Sequence, residues 1–196
     1  MDQILLAGAQ DVLGAEKLNH VLGELSLENN AAQVEQPASE LSMPLDDAGS
    51  LLQMLEGIYG VPGGRGLALR IGRAAFKYGL KQFGDQAGLF RSEYRLLPAP
   101  RRIATGLNIL AQVIAQECNA PISVTDGGAY WLWRSESCPL CHDHQSADPC
   151  CHVVVGLLQE FTAWAGGGRF YPVTEIACRA NGGAVCEFRV EKKPLD

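Results

Sequence analysis

Hydrophobic residues recur at helical spacing through residues 3–24, where Leu5, Leu6, Val12, Leu13, Leu18, Val21 and Leu22 share one side of the pattern. Gly14 interrupts the run, so two short helices are expected rather than one. The periodicity then lapses. Asn29-Asn30, Pro37, Ser39, Ser42 and Pro44 mark residues 26–46 as a long polar connection with room for a short edge strand. Asp46-Asp47 can cap a helix through LLQMLEGIYG, which should stop at Gly60 ahead of Pro62. The stretch PGGRGLALRIGRAAFKYGLKQFG is amphipathic again, with Leu67, Ile71, Ala74, Ala75, Tyr78 and Leu80 on or near one face. Its glycines lower helix propensity but permit close helix packing. Ile103, Leu107, Leu110, Ala111 and Ile114 predict a further helix over 101–118.

The period changes at Pro121. ISVTD and AYWLWRS flank Gly127-Gly128, a turn signal between β-rich runs that predicts a hairpin. A loop rich in Cys, His, Asp and Ser follows over 136–149. HVVVGLLQEFTAWAGG opens with β-branched residues, yet its length and Leu157, Leu158, Phe161 and Trp164 favour a helix ended by Gly166-Gly167-Gly168. FYPVTEIAC and AVCEFRVEK, joined through Asn181-Gly182-Gly183, predict a closing hairpin. Helices come first and antiparallel strands mostly later, so the expected class is α+β, an antiparallel sheet packed against helices. The expected organisation is an N-terminal helical segment and polar connection over 1–46, followed by one main domain over 47–196.

Composition narrows the function. Hydrophobic residues make up 47% of the 196 and charged residues 19%, which suits a globular chain with a filled core. A net charge of −6 and a pI near 5.2 argue against a nucleic-acid partner, which would call for clustered Lys and Arg. No apolar run approaches membrane-spanning length, and MDQILLAGAQ lacks the basic start of a signal peptide. The expectation is a soluble, cytoplasmic protein without a membrane span. GGRGLALRIG fits neither common phosphate-loop pattern, so a nucleotide site is not expected. Arg65, Arg70 and Arg73 could steer an anionic ligand, although a solvated helix face is the simpler reading.

Seven cysteines are the informative residues, and six of them follow residue 137. In a reducing compartment such grouping points to metal or redox chemistry rather than to disulfides. Cys118 stands apart and reads as a small buried hydrophobe. In EIACRANGGAVCEF, Glu175 and Cys178 are three residues apart, so ideal alternation would put them on opposite faces of a strand. A bulge, or a position for Cys178 where the strand gives way to the turn, would bring them together. Cys186 can face Cys178 across the turn, and Cys150-Cys151 is the nearest supply of a fourth donor. Three thiolates and a carboxylate would make a closed tetrahedral shell suited to structural zinc. The plain alternative is a hairpin with two facing buried thiols. A second group in CPLCHDHQSADPCC, formed by Cys138, Cys141, His142, His144 and Cys150, could be another metal site, a redox pair or an incidental loop.

A cysteine opening a G-L-L helix, then G-G, then E-x-x-C-x(7)-C with a final strand resembles the 4-vinyl reductase domain. That family includes the ligand-sensing domains of phenol- and xylene-responsive activators, stand-alone hydrocarbon-binding proteins and a protein tied to bacteriochlorophyll 4-vinyl reduction. The resemblance extends upstream through GRAAFKYGLKQFG and DGGAYWLWRSESCPLC, and covers about Gly63 to Val190. It implies zinc at Cys151, Glu175, Cys178 and Cys186, with Cys151 selected because Gly156 lies five positions on. It also implies a fold shared with TRAPP vesicle-tethering subunits, a homodimer, and a chamber for a small hydrophobic or aromatic ligand. The matching elements offer Phe76, Tyr78, Phe83, Trp131, Trp133, Phe161 and Trp164 to that chamber, though each could equally be plain core.

The expected function is therefore a stand-alone sensor or carrier of a small hydrophobic molecule, with Zn2+ as a structural cofactor and no catalytic residues. No Ser/His/Asp arrangement, acid–base carboxylate pair or cofactor loop is visible. Two alternatives remain: an accessory protein or enzyme of (bacterio)chlorophyll 4-vinyl reduction, and a redox- or metal-responsive switch using 138–152.

Overall fold

The computed structural model of the chain describes residues 1–29, 48–141 and 145–195. Gly14, at φ 82°, separates α1 (Asp2–Leu13) from α2 (Ala15–Asn29). The polar connection, its possible edge strand and the Asp46-Asp47 cap lie outside the described residues. α3 (Ala48–Phe83) is broken at Gly60, whose φ of 73° and ψ of 160° are non-helical, two residues before Pro62. That is the stop the Gly and Pro pattern called for. A single turn, α4 (Ser92–Arg95), precedes α5 (Ala99–Cys118), which ends on Asn119 in the left-handed conformation. β1 (Ile122–Asp126) and β2 (Tyr130–Ser135) form the first hairpin. α6 (His152–Ala165) follows, and β3 (Val173–Ala177) and β4 (Cys186–Glu191) close the chain.

The four strands form one antiparallel sheet in the order β1-β2-β4-β3. β4 pairs with β2 on one side and β3 on the other, so both hairpins share one sheet. Trp131, Trp133 and Ser135 on β2 and Cys186, Phe188 and Val190 on β4 are all buried, which defines the inner face. Leu5, Ile71, Ile103, Leu107, Leu158 and Phe161 from the helices complete a continuous core with the apolar residues of that face. α1 and α2 contribute to that same core through Leu6, Ala9, Leu18 and Val21.

Two glycines set the spacing of the helical layer. A Cβ on Gly72 of α3 would collide with the Val153 carbonyl of α6, and one on Gly156 would collide with the Leu69 carbonyl. The backbones of α3 and α6 therefore touch directly, as only glycine permits at these positions. This contact lies in the opening turns of α6, so it fixes where Cys151 sits.

Candidate metal centre

Cys151 is the N-cap of α6, and its carbonyl accepts hydrogen bonds from Val154 and Val155 N–H at 3.0 and 3.2 Å. Its own N–H donates to Glu175 Oε2 at 2.8 Å. Glu175 can face inward beside Cys178 because the β3–β4 ladder shifts register between Glu175 and Ala177. Cys178 lies just past the end of β3, at the head of a tight turn. Asn181 and Gly183 N–H return to the Cys178 carbonyl, and Gly182 takes φ 92°. That turn carries the chain back to Cys186, the first residue of β4. Both devices that could reconcile the three-residue spacing are thus present, a bulge and a strand end.

Cys138 and Cys141 reach the same place from the other side. A short 3-10 turn, Pro139–Cys141, follows β2, and both thiols are buried. Ser146 N–H donates to the Ala180 carbonyl at 2.9 Å, tying the following loop to the closing hairpin. The result is one cluster. Sγ–Sγ separations are 3.5 Å for Cys138–Cys151, 3.4 Å for Cys141–Cys186 and 3.8 Å for Cys151–Cys178. Cys151–Cys186 is 3.9 Å, Cys178–Cys186 4.0 Å and Cys150–Cys178 3.8 Å. Two four-membered donor sets emerge, each with all ligand atoms within 4.8 Å of one another: Cys151/Glu175/Cys178/Cys186 and Cys138/Cys141/Cys151/Cys186.

The donors fit a thiophilic divalent ion. Ligands about 2.3 Å from a tetrahedral zinc stand about 3.8 Å apart, close to the separations found. Glu175 Oε1 is buried and has no hydrogen-bond partner, an orphan that a cation would satisfy. Burial, then the nearby Cys178, pushes the Glu175 carboxyl up to about 8. Among the thiols, hydrogen bonds led by that from Cys141 hold Cys138 and Cys178 well below the ordinary range. Their partners Cys151 and Cys186 are pushed up, chiefly through the hydrogen bond to Cys138. A metal charge would favour the thiolate form throughout the cluster.

The set inferred from the family resemblance is therefore gathered in one place. Cys138 and Cys141 join it instead of standing as a separate group. Cys150 abuts Cys178 but belongs to neither four-membered set. His142 and His144 lie outside the described residues. Adjacency in space between the C-x-x-C pair and the closing hairpin had no signal in the sequence, because it depends on β2 lying next to β4.

Beside the cluster is an apolar cavity of about 90 Å³. Cys138, Trp133 and Phe188 form its wall toward the cysteines, and Leu5, Ile114 and Leu157 also line it. A smaller cavity of about 40 Å³ continues from it, sharing Ile4, Ala75, Ile114 and Leu157 and adding Phe76 and Phe83. Of the other aromatic candidates, Phe161 packs edge-on against Phe76 at 5.9 Å, and Trp164 stacks on Tyr94 at 6.1 Å. Trp131 lies on the sheet under Lys192, and the Tyr78 hydroxyl donates to Asp11 at 2.9 Å. Cys118 also lines the larger cavity. Most of the lining is aliphatic, and a reading keyed to aromatic residues missed it. Arg65 pairs with Glu56 and Asp148, and Arg73 with Gln159, so these two guanidiniums are spent on the protein itself.

A helical layer over an antiparallel sheet, with a cavity between them and a thiol cluster at its edge, defines an α+β fold of the ligand-binding kind. Residues 131–192, which include most of β2, the whole of β4 and every clustered cysteine, match the family model of the 4-vinyl reductase domain, and this part of the chain belongs to that family. No curated protein sequence matches the chain. Among solved structures, the phenol-responsive sensory domain of the transcription activator PoxR with phenol aligns at a TM-score of 0.58 and 18% identity, over 86% of this chain and 89% of that one. An H-NOX protein from S. oneidensis in the Fe(II)NO ligation state aligns at 0.65 and 16% identity, over the whole of both chains. An unliganded Fe(II) H-NOX mutant from K. algicida aligns at 0.61 and 13%, over 100% of this chain and 97% of that one. At these identities the likeness is one of fold. Among the described residues no helix is long and apolar enough to cross a membrane.

Proposed function

We propose that the protein senses or carries a small apolar or aromatic molecule, bound between the sheet and α1, α3, α5 and α6 and braced by a closed structural zinc site at Cys151, Glu175, Cys178 and Cys186. The observation that carries this reading is the cavity of about 90 Å³, whose lining is apolar and whose wall includes Cys138. Dry apolar cavities of this class hold one-ring guests. The ligand class agrees with the phenol bound in the PoxR sensory domain, which shares the fold. Zinc contributes a closed shell that ties the start of α6 to the closing hairpin, and this shell leaves no open position for a reacting water. Because Cys138 belongs to both wall and cluster, a guest that shifts the wall also shifts the segment attached to the metal. A homodimer is part of the same reading.

Trp133 reports on the cavity directly. Titration with phenol, and separately with toluene, should give a saturable change in tryptophan fluorescence. Ile114→Phe fills both cavities and should weaken that response at least tenfold, about 1.4 kcal/mol. If neither probe saturates, or if Ile114→Phe binds as well as the parent, the chamber is not a ligand site.

A further inference from the structure

We propose that the cysteine cluster is a binuclear site: a second divalent, thiophilic ion sits among Cys138, Cys141, Cys151 and Cys186, sharing the Cys151 and Cys186 thiolates with the ion held by Glu175 and Cys178. This rests on the zinc reading of the Glu175 set and extends it. The two donor sets overlap in Cys151 and Cys186, so two tetrahedra joined along that edge need six donors. Cys138, Cys141, Cys151, Cys178, Cys186 and Glu175 are those six.

The spacing supports a shared edge. The Cys151–Cys186 separation of 3.9 Å is the edge common to both tetrahedra. From it, Cys138 and Cys141 lie at 3.5 Å from Cys151 and 3.4 Å from Cys186 respectively. Cys178 completes the other set, at 3.8 Å from Cys151 and 4.0 Å from Cys186. A single four-coordinate ion in the Glu175 set would leave Cys138 and Cys141 as buried thiols pressed against a filled shell. A second ion gives them a role and lowers the negative charge of the buried group. Five thiolates and one carboxylate carry six negative charges, and two divalent cations leave two. An iron–sulfur cluster would place iron and sulfide between its cysteines and spread them further than these contacts allow.

The test is metal content of the full chain purified from zinc-supplemented medium, read beside cadmium-113 NMR of the cadmium-exchanged protein. The parent should hold about two ions per chain and give two cadmium resonances. Cys138→Ser/Cys141→Ser should hold about one ion, with its far-ultraviolet circular dichroism unchanged. If that double variant does not fold, the number of cadmium resonances in the parent decides alone. One ion in the parent, kept by Cys138→Ser/Cys141→Ser and lost by Glu175→Ala, overturns the second site and leaves the Glu175 site standing. One ion lost with Cys138→Ser/Cys141→Ser but kept by Glu175→Ala overturns both. Iron with acid-labile sulfide, or metal-free protein carrying disulfides, also overturns the proposal.

Discussion

The two oxygens of Glu175 have different fates: Oε2 accepts the Cys151 N–H at 2.8 Å, and Oε1 is buried without a partner. One oxygen fixes the start of α6, and the other is left for a cation. Glu175→Gln can keep the first role through its amide oxygen but cannot supply an anionic ligand. It should therefore retain the fold and weaken zinc affinity. Outer-shell losses cost about 10–100-fold, and a lost ligand should exceed that. Glu175→Ala should in addition destabilise the metal-free protein by about 1–3 kcal/mol, because the Cys151 N–H is left unpaired. Competition with a chromophoric chelator and urea unfolding of the metal-free forms measure the two effects separately.

Contact between α3 and α6 makes a second, metal-independent prediction. Gly72→Ala and Gly156→Ala each force a methyl group into a facing carbonyl. Each should destabilise by about 3 kcal/mol, and both should also weaken zinc binding because the N-terminus of α6 is displaced. Gly23→Ala, whose added Cβ would meet nothing within 4 Å, is the control and should change neither.

Tyr94 offers a pH test away from the metal. Its hydroxyl is buried without a hydrogen-bond partner, and burial pushes it from 10.0 up to about 12. Because the folded form holds the proton more tightly, this group contributes stability fully present below pH 10 and lost as the pH rises through about 12. Tyr94→Phe should remove that alkaline loss. It should also be neutral or slightly stabilising near pH 7, by up to about 1 kcal/mol, since an unpaired buried hydroxyl is removed. Thermal unfolding across that pH range checks both.

Metal removal should expose a defined set of thiols. With the metal bound, a thiol reagent should react slowly with all cysteines. After chelation the clustered thiols should react quickly, led by Cys138 and Cys178, which their neighbours hold toward the thiolate. Cys118, pushed up to about 11 by burial, should stay slow in both states at neutral pH. Mass mapping of alkylated peptides distinguishes the sites.

Much of this organisation is legible in the chain. Gly14 and Gly60 mark helix breaks because both adopt positive φ, a conformation that glycine alone takes cheaply. The β3–β4 bulge follows from the three-residue spacing of Glu175 and Cys178 once both must face one ion. Local chemistry sufficed for these. What stayed hidden depends on contacts distant in sequence. Cys141 and Cys186 are neighbours only because β4 pairs with β2, a strand order no local pattern encodes. The cavity is lined by Ile4, Ala75, Ile114 and Leu157, ordinary helix-face residues whose sequence pattern is that of any core. Aromatic side chains drew attention to the right layer, but the void lies where aliphatic faces fail to meet.

Zinc K-edge X-ray absorption of the protein as purified tests the account most directly. A closed, thiolate-rich site predicts a sulfur-dominated shell at about 2.3 Å, with a minor oxygen contribution at about 2.0–2.2 Å that disappears in Glu175→Ala. A shell of nitrogen and oxygen alone, or the absence of zinc from protein that is otherwise folded, would contradict it.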